Sequence, residues 1–289
     1  MVFWFLLPAV AGSSFVASVY YFQNKLLFQP SLSQLPCEET NPSLDSIAFE
    51  DVYIPSTDNV RLHSWFIPAT NATPSNPAPV LLYFHGNAGN IASRTSNLCT
   101  LFRAFNNEIS ILIIDYRGYG LSTGTPSEEG LYQDGLASYD WLLSQPLVDS
   151  SKIFVFGRSL GGAVATYVSR HRDVRGLILE NTFASIKDLI PFFFPQWVSK
   201  SLPDFMIRSK FPSIDHINHV TNPILFISGE VDEVIPPCHS VMLHDAALRC
   251  CRKQLISIPK GTHNETWIIG GSEYFYNFVR FLYTCLNSN

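Results

Sequence analysis

Residues 152–167 read KIFVFGRSLGGAVATY, and this stretch decides which fold the sequence favours. The apolar run from Ile153 to Phe156 is typical of a buried strand. Gly157 and Gly161 then flank Ser159 in the pattern G-x-S-x-G, in which a strand turns sharply into a helix and exposes a serine at the carboxyl end of a sheet. The alternative is an ordinary strand–helix turn with an incidental serine, so the context in the rest of the chain decides between the two.

Composition predicts a single core and argues against nucleic-acid binding, a disulfide framework and a metal site. With 289 residues, 46% of them hydrophobic, the chain can bury the core of a single α/β domain. Its net charge of -5 and its lack of a Lys/Arg block argue against a nucleic-acid partner. The six cysteines contain no C-x-x-C pair, so we expect neither a disulfide framework nor a zinc site, and no metal or cofactor.

The N-terminal residues 1–24 carry no charged side chain and are long enough, as a helix, to cross a bilayer core of about 30 Å. We therefore expect a transmembrane anchor, with a cleavable signal peptide as the alternative. Residues 25–45 read as a polar connector. Asn71 and Asn264 begin glycosylation sequons, and the loop position of Asn71 favours a lumenal domain. With the anchor, this predicts a single-pass protein of the endoplasmic reticulum or another secretory-pathway membrane.

Residues 46–287 alternate between strand-like and helix-like segments. Two strand-like runs come first and are joined by a turn, which indicates an antiparallel start. Continuous apolar runs and helical segments then alternate, as expected for a mostly parallel sheet with helices on both faces. The predicted strands are 48–54, 60–67, 80–84, 109–114, 153–156, 176–179, 224–227 and 255–258.

An aromatic, proline-broken segment interrupts this alternation at residues 185–222. We expect a cap over the site, and the alternative is a pair of short helices that pack into the core. Phe193 and Trp197 lie one helical turn apart and would form an apolar substrate-binding surface.

A serine at such a turn becomes a nucleophile only if a histidine accepts its proton and a carboxylate orients that histidine. The expected chain order is serine, acid, histidine. His263 follows a strand directly, and Asp232 follows the strand before it. The rival acid is Glu180, at the end of an earlier strand.

An oxyanion needs backbone N–H donors from the residue after the nucleophile and from the loop after the third strand. These are Leu160 and Asn87, with Ala88 as the alternative to Asn87. His85 reads as a buried brace of that loop. We also expect Asp115 to pair with Arg117 beside it.

Seven motifs together resemble the family of α/β-hydrolase domain-containing protein 13 and the fungal bud-emergence-type hydrolases. They are FHGNAGN (84–90), IDYRGYGLSTG (114–124), SEEGLYQD (127–134), FGRSLGGAVA (156–165), ENTF (180–183), ISGEVDEVIPP (227–237) and GTHNETW (261–267). The resemblance covers about residues 47–283 and implies an α/β-hydrolase fold in a single-pass, membrane-anchored serine hydrolase. The nucleophile, acid and base of that family fall on Ser159, Asp232 and His263.

The expected activity is therefore hydrolysis of an acyl ester or thioester, with lipids and acylated proteins as the candidate substrates. The thioester part comes by analogy with related acyl-protein thioesterases, whose N-terminal cysteine cluster is missing from residues 1–29. The alternatives are a peptidase of the same fold and a catalytically silent membrane scaffold.

Overall fold

The structure is a computed structural model that describes residues 20–21, 23–25, 27–195, 197 and 203–288. Its centre is a single eight-stranded sheet. The strands are β1 (Glu50–Pro55), β2 (Arg61–Ile67), β3 (Ala78–Phe84), β4 (Ser110–Ile114), β5 (Val148–Arg158), β6 (Gly176–Glu180), β7 (Ile224–Gly229) and β8 (Lys253–Ile258). Their order across the sheet is β1-β2-β4-β3-β5-β6-β7-β8.

The direction of the strands agrees with the sequence patterns. β1 pairs with β2, and β2 with β4, in antiparallel register. All the later pairs, from β3–β4 to β7–β8, are parallel. The predicted antiparallel start and the predicted parallel remainder are both confirmed.

Helices cover the two faces of the sheet. They are α1 (Thr95–Ala104), α2 (Glu128–Leu143), α3 (Leu160–His171), α4 (Ile186–Phe193), α5 (Ser213–Ile217), α6 (Cys238–Ala246) and α7 (Thr266–Leu286), with short 3-10 turns at Pro42–Asp45, Thr57–Asn59, Ile91–Arg94 and Asp204–Met206. Helices α1 and α7 pack on one face, and α2, α3, α5 and α6 pack on the other. Each face of the sheet carries a hydrophobic core. Side chains of β3 alternate between them: Leu82 and Phe84 pack into one core, and Leu81 and Tyr83 pack into the other.

The N-terminal part of the chain is described from residue 20 onward, with gaps. Most of the predicted anchor, residues 1–19 and 22, lies outside the described residues. Among the helices that are described, none is both long and apolar enough to cross a bilayer. Residues 27–47 lie against the sheet domain: Phe28 is buried beside Phe211, and Gln29 forms an isolated parallel bridge with Ala88.

The predicted pairing of Asp115 with Arg117 is wrong. A turn closed by the Tyr119 N–H and the Tyr116 carbonyl rotates Arg117 away from the end of β4. Its guanidinium instead meets buried Asp134 on α2, with Nη2 to Oδ1 at 2.9 Å and Nε to Oδ1 at 3.0 Å. The backbone N–H of Arg117 donates to the same carboxylate at 2.9 Å, so the carboxylate ties this turn to α2.

Substituting Asp134→Ala should lower the free energy of unfolding by about 3–5 kcal/mol, because the change leaves the buried guanidinium of Arg117 with only the exposed Asp58 at 3.4 Å as an ion-pair partner. Asp140→Ala is the matched control, since Asp140 is about half exposed and pairs with Arg172 at 2.7 Å on the surface. This control should cost about 0–1 kcal/mol. Urea unfolding of both variants measures the difference, and equal losses would contradict the assigned role of the buried pair.

Candidate active site

Ser159 occupies a strained turn between β5 and α3. Its backbone φ of 54° and ψ of -123° lie outside the regions that residues other than glycine usually adopt. The two flanking glycines permit this turn: a Cβ at Gly157 would lie 2.3 Å from the Gly161 carbonyl oxygen, and one at Gly161 would lie 2.1 Å from the Phe84 carbonyl oxygen. The predicted strand–turn–helix is therefore present, with the serine at the carboxyl end of β5.

The structure brings the three predicted catalytic residues together. Ser159 Oγ lies 3.0 Å from His263 Nε2, and His263 Nδ1 lies 2.8 Å from Asp232 Oδ2. All three are buried, and they follow β5, β7 and β8 at one edge of the sheet. The other oxygen of Asp232 accepts the N–H groups of Val234 at 2.9 Å and Ile235 at 2.7 Å, which fixes the carboxylate toward the imidazole.

Glu180, the rival acid, has different partners. It is buried at the end of β6, where its Oε2 accepts the Tyr274 hydroxyl at 2.5 Å and its Oε1 lies 3.4 Å from Arg158 Nε. Burial raises the pKa of Glu180, while the nearby Arg158 charge opposes that rise. The structure thus brings Asp232, and not Glu180, to His263.

Two residues that the sequence analysis did not single out hold the loop of His263. Arg158 donates from Nη2 to the His263 carbonyl at 2.6 Å and to Asn264 Oδ1 at 2.9 Å. Asn181 donates from Nδ2 to the same carbonyl at 3.1 Å and to Thr266 Oγ1 at 2.9 Å. Arg158 could have been noticed as the residue before the nucleophile, but its contact spans 105 residues of sequence, and no local pattern indicates such a contact.

The predicted oxyanion donors lie on either side of Ser159. Leu160 is the first residue of α3, and Asn87 follows Gly86, whose added Cβ would lie 3.4 Å from the Ser159 Cβ. Neither Leu160 nor Asn87 has a hydrogen-bond partner for its backbone N–H within the part of the chain that is described. Both N–H groups are therefore available beside the nucleophile.

The side chain of Asn87 forms hydrogen bonds with three other residues. Its Nδ2 donates to the Leu27 carbonyl at 2.5 Å. Its Oδ1 accepts the Gln29 N–H at 3.2 Å and the Tyr119 hydroxyl at 2.8 Å. The N-terminal segment therefore holds the loop that carries this donor.

Asp115, directly after β4, contacts the histidine that holds the loop of Asn87. As predicted, His85 is a buried brace: its Nδ1 lies 2.7 Å from the Gly86 carbonyl oxygen and its Nε2 lies 3.5 Å from Asp115 Oδ1. His63 Nδ1 lies 3.3 Å from the other Asp115 oxygen. Burial alone would raise the pKa of Asp115, but the hydrogen bonds with His63 and His85 lower it below its ordinary value.

Cys37, His63 and Asp115 form the one cluster among the described residues whose ligand atoms lie close enough to share a metal ion, all within 4.8 Å of one another. Contacts within the protein already account for this cluster, since His63 Nε2 also lies 2.8 Å from Asp51 Oδ1. Burial raises the pKa of the Cys37 thiol to about 12, so the thiol keeps its proton at neutral pH. The cluster therefore has the character of a buried brace.

A cavity of about 790 Å³ opens above Ser159 and His263. Its apolar walls come from three parts of the chain: Leu27, Leu32 and Leu35 of the N-terminal segment, Ile186, Leu189 and Phe193 of α4, and Val234, Ile235, Trp267 and Ile268 beside the triad. Within segment 185–222, α4 therefore contributes to a wall of the cavity, while Phe211 and Ile217 are buried in the core. That the segment acts as a cap stays a prediction.

The two aromatic residues predicted to bind substrate differ in position. Phe193 lines the cavity, whereas Trp197 does not and is 74% exposed. The sequons differ as well: Asn71 is exposed between β2 and β3, while Asn264 accepts a hydrogen bond from Arg158 at the cavity wall. Glycosylation at either stays a prediction.

Known proteins resemble this chain over most of its length. Residues 75–216 match the family described as serine aminopeptidase, S33. The α/β hydrolase domain-containing protein WAV2 of Arabidopsis thaliana is 38% identical, over 94% of this chain and 90% of its own. Protein bem46 of Schizosaccharomyces pombe is 37% identical, over 91% of this chain and 87% of its own.

A solved structure supports the fold. An esterase of Pyrococcus furiosus superposes with a TM-score of 0.71 at 18% identity, covering 90% of this chain and 98% of its own. Similarity at this level of identity establishes the fold and leaves the activity to the site. From the fold and these relatives together, the chain belongs to the α/β-hydrolase family that includes WAV2 and bem46.

Proposed function

We propose that this protein is a serine hydrolase that cleaves a carboxylic ester or thioester through a covalent acyl-enzyme. The observation that carries the proposal is the continuous contact from Ser159 Oγ to His263 Nε2 at 3.0 Å and from His263 Nδ1 to Asp232 Oδ2 at 2.8 Å. This order of groups and these distances are what a serine needs to become a nucleophile at neutral pH.

In the first half of the reaction, His263 Nε2 accepts the proton of Ser159 Oγ as that oxygen bonds to the substrate carbonyl carbon. The carbonyl oxygen takes the negative charge and meets the N–H groups of Leu160 and Asn87. His263 then donates its proton to the leaving oxygen or sulfur, and the bond to the leaving group breaks. Asp232 stays ionised throughout and stabilises the imidazolium that forms between these steps.

In the second half, water takes the place of the leaving group. His263 Nε2 accepts a proton from water as the water oxygen attacks the acyl carbon, and it returns the proton to Ser159 Oγ as the acid is released. Arg158 and Asn181 act through His263, since both hold its carbonyl and so keep the imidazole at hydrogen-bond distance from the serine.

The apolar walls of the cavity favour a substrate whose acyl group is apolar and binds in this cavity. Leucine, isoleucine and phenylalanine side chains from three segments surround the space above Ser159. The esterase structural neighbour supports ester chemistry on this fold by analogy. A peptidase of the same fold is the second candidate, favoured by the description of the matching family.

We further propose that residues 1–24 anchor the protein in a membrane of the secretory pathway. The support is the absence of charged residues from this stretch. An anchored enzyme with an apolar cavity would meet substrates that partition into lipid.

Substituting Ser159→Ala should abolish labelling by a fluorophosphonate probe and lower turnover about 10⁴-fold or more, because the groups of a triad act as a unit. Gel-based labelling of the full-length chain measures the first effect. Ser151→Ala is the control, since Ser151 lies exposed at the start of the same strand and should label normally. Labelling that survives in Ser159→Ala would overturn the assignment, and an unlabelled wild type would favour the silent scaffold.

The acid is tested by comparing Asp232→Asn with Glu180→Gln. Asp232→Asn should reduce kcat by about 10⁴-fold, since an amide favours the wrong tautomer of the histidine. Glu180→Gln should mainly lower the melting temperature, because it weakens the buried contacts with Arg158 and Tyr274. Measuring kcat and thermal unfolding for both variants separates the roles, and the reverse pattern would make Glu180 the acid.

The apolar wall predicts a preference for longer acyl chains. From acetate to octanoate, kcat/KM for 4-nitrophenyl esters should rise by up to about fourfold per buried methylene. Phe193→Ala should flatten this rise, whereas Trp197→Ala tests whether the exposed tryptophan contributes at all. The measurement uses ester concentrations below those that form micelles. A flat profile in the wild type would remove the apolar acyl group from the proposal.

A further inference from the structure

The cavity above Ser159 is cationic although the chain as a whole is acidic. The net charge of the chain is -5, yet the described residues that line this cavity include Arg94 and Arg158 and no aspartate or glutamate. A cavity of one sign attracts ligands of the opposite sign and concentrates the field inside apolar walls. This charge distribution is therefore informative about the substrate.

The two arginines differ in how their charges are balanced. Arg158 lies 3.4 Å from the buried carboxylate of Glu180 and also donates to the His263 carbonyl and the Asn264 side chain. Its charge and its hydrogen bonds are used within the protein. Arg158 is thus explained by the positioning of His263.

Arg94 has no such balance. It ends the 3-10 turn Ile91–Arg94, directly after the loop that carries Asn87, and its Nη2 donates to the Ala88 carbonyl. Its Nε is shielded from solvent and has no hydrogen-bond partner, and no carboxylate of the described chain lies within 4.0 Å of the guanidinium. The carbonyl of Ala88 uses one of the five N–H donors of the side chain, and the shielded Nε cannot reach a ligand. The three other N–H groups, on Nη1 and Nη2, have no partner among the described residues.

A half-buried cation without a directly paired counter-ion is energetically unfavourable. Burial lowers the pKa of Arg94 and the like charge of Arg158 lowers it further, while the more distant carboxylate of Asp115 opposes this change without reversing it. A neutral donor could hold the Ala88 carbonyl without this cost, so the loop contact alone does not account for a guanidinium here. A guanidinium with unused donors, facing a cavity, is suited to bind a carboxylate or a phosphate through two parallel hydrogen bonds.

We propose that Arg94 forms an anion subsite in this cavity, so that the substrate is an ester or thioester that also carries a carboxylate or phosphate group. The inference rests on the proposed hydrolase function and narrows its substrate to an anionic amphiphile: an apolar chain against the leucine and phenylalanine walls, and a negative group at Arg94. Because Arg94 holds Ala88, the residue after Asn87, the negative group lies close to the reacting carbonyl.

The first test compares kcat/KM for pairs of esters in which a carboxylate is replaced by its methyl ester, with each rate divided by that of uncatalysed hydrolysis of the same compound. On the acyl side, the monoester of suberic acid with 4-nitrophenol is compared with its methyl ester. On the leaving-group side, 4-(octanoyloxy)benzoate is compared with its methyl ester, and 4-(octanoyloxy)phenyl phosphate replaces the carboxylate by a phosphate. We expect the wild type to prefer the anionic member of at least one pair about tenfold or more, the range of a charge-assisted hydrogen bond.

Arg94→Gln should reduce that preference at least about tenfold, and Arg94→Lys should retain part of it, since lysine keeps the charge but not the paired donors. Arg103→Gln is the matched control, because it removes the same charge from an exposed arginine that pairs with Asp45 outside the cavity. It should leave the preference at the wild-type value. If Arg94→Gln lowers kcat/KM of both members in the same proportion, Arg94 only positions the loop and the proposal is overturned.

The second test is independent of catalysis. Binding of decanoate and octyl phosphate to full-length Ser159→Ala chain is compared with binding of the neutral methyl decanoate, by calorimetry, with and without Arg94→Gln. Tighter binding of either anion that is lost in Arg94→Gln supports the subsite, and equal affinities for the anionic and neutral compounds overturn it. If the probe fails to label Ser159, the proposed hydrolase function is contradicted but the binding result still stands. Failure of the proposed function and failure of the anion subsite are therefore distinguishable.

Discussion

The close approach between the end of β3 and the start of α3 is the constraint on which the rest of the site depends. A Cβ at Gly161 would lie only 2.1 Å from the Phe84 carbonyl oxygen, and a Cβ at Gly157 only 2.3 Å from the Gly161 carbonyl oxygen. Only residues without a side chain permit this contact. It sets the depth of the helix against the sheet and forces Ser159 into its positive φ of 54°. The loop after β3 then passes within van der Waals distance of the serine, which is why an oxyanion donor can stand beside it.

A network of buried polar groups extends this rigidity to the histidine. Arg158 and Asn181, at the ends of neighbouring strands β5 and β6, both donate to the His263 carbonyl. Arg158 in turn forms an ion pair with Glu180, whose other oxygen accepts the Tyr274 hydroxyl. His263 therefore lies on a short connection between β8 and α7 whose backbone is held by residues at the ends of two sheet strands. This support gives the imidazole the fixed position that its proposed role as general base requires.

The sequence predicts those parts of this molecule that depend on local pattern. Continuous apolar runs indicate the buried strands, and the G-x-S-x-G glycines indicate the turn, because both signals arise within a few neighbouring residues. The chain order of Ser159, Asp232 and His263 follows the motif, and their meeting in space follows from the rule that parallel strands present their carboxyl ends at one edge. Pairings between distant residues produce no local sequence pattern. Arg117 pairs with Asp134 on a helix and not with its neighbour Asp115. Arg94 lines the cavity without a paired carboxylate among the described residues, which also depends on the fold. The position of Trp197 outside the cavity also depends on the path of a proline-broken segment, which spacing alone does not determine.

The contact between Asn87 and the N-terminal segment changes where the functional unit of this chain begins. By sequence pattern the domain starts near residue 46, yet the Leu27 carbonyl and the Gln29 N–H hold the side chain of Asn87, and Leu27, Leu32 and Leu35 form a wall of the cavity. A protease that cut between this segment and β1 would leave the sheet and the triad intact while releasing one support of the oxyanion loop. Residues 27–35, next to the proposed anchor, therefore contact the loop of the proposed oxyanion donor at several points, so that a rearrangement of these residues would be transmitted to that loop.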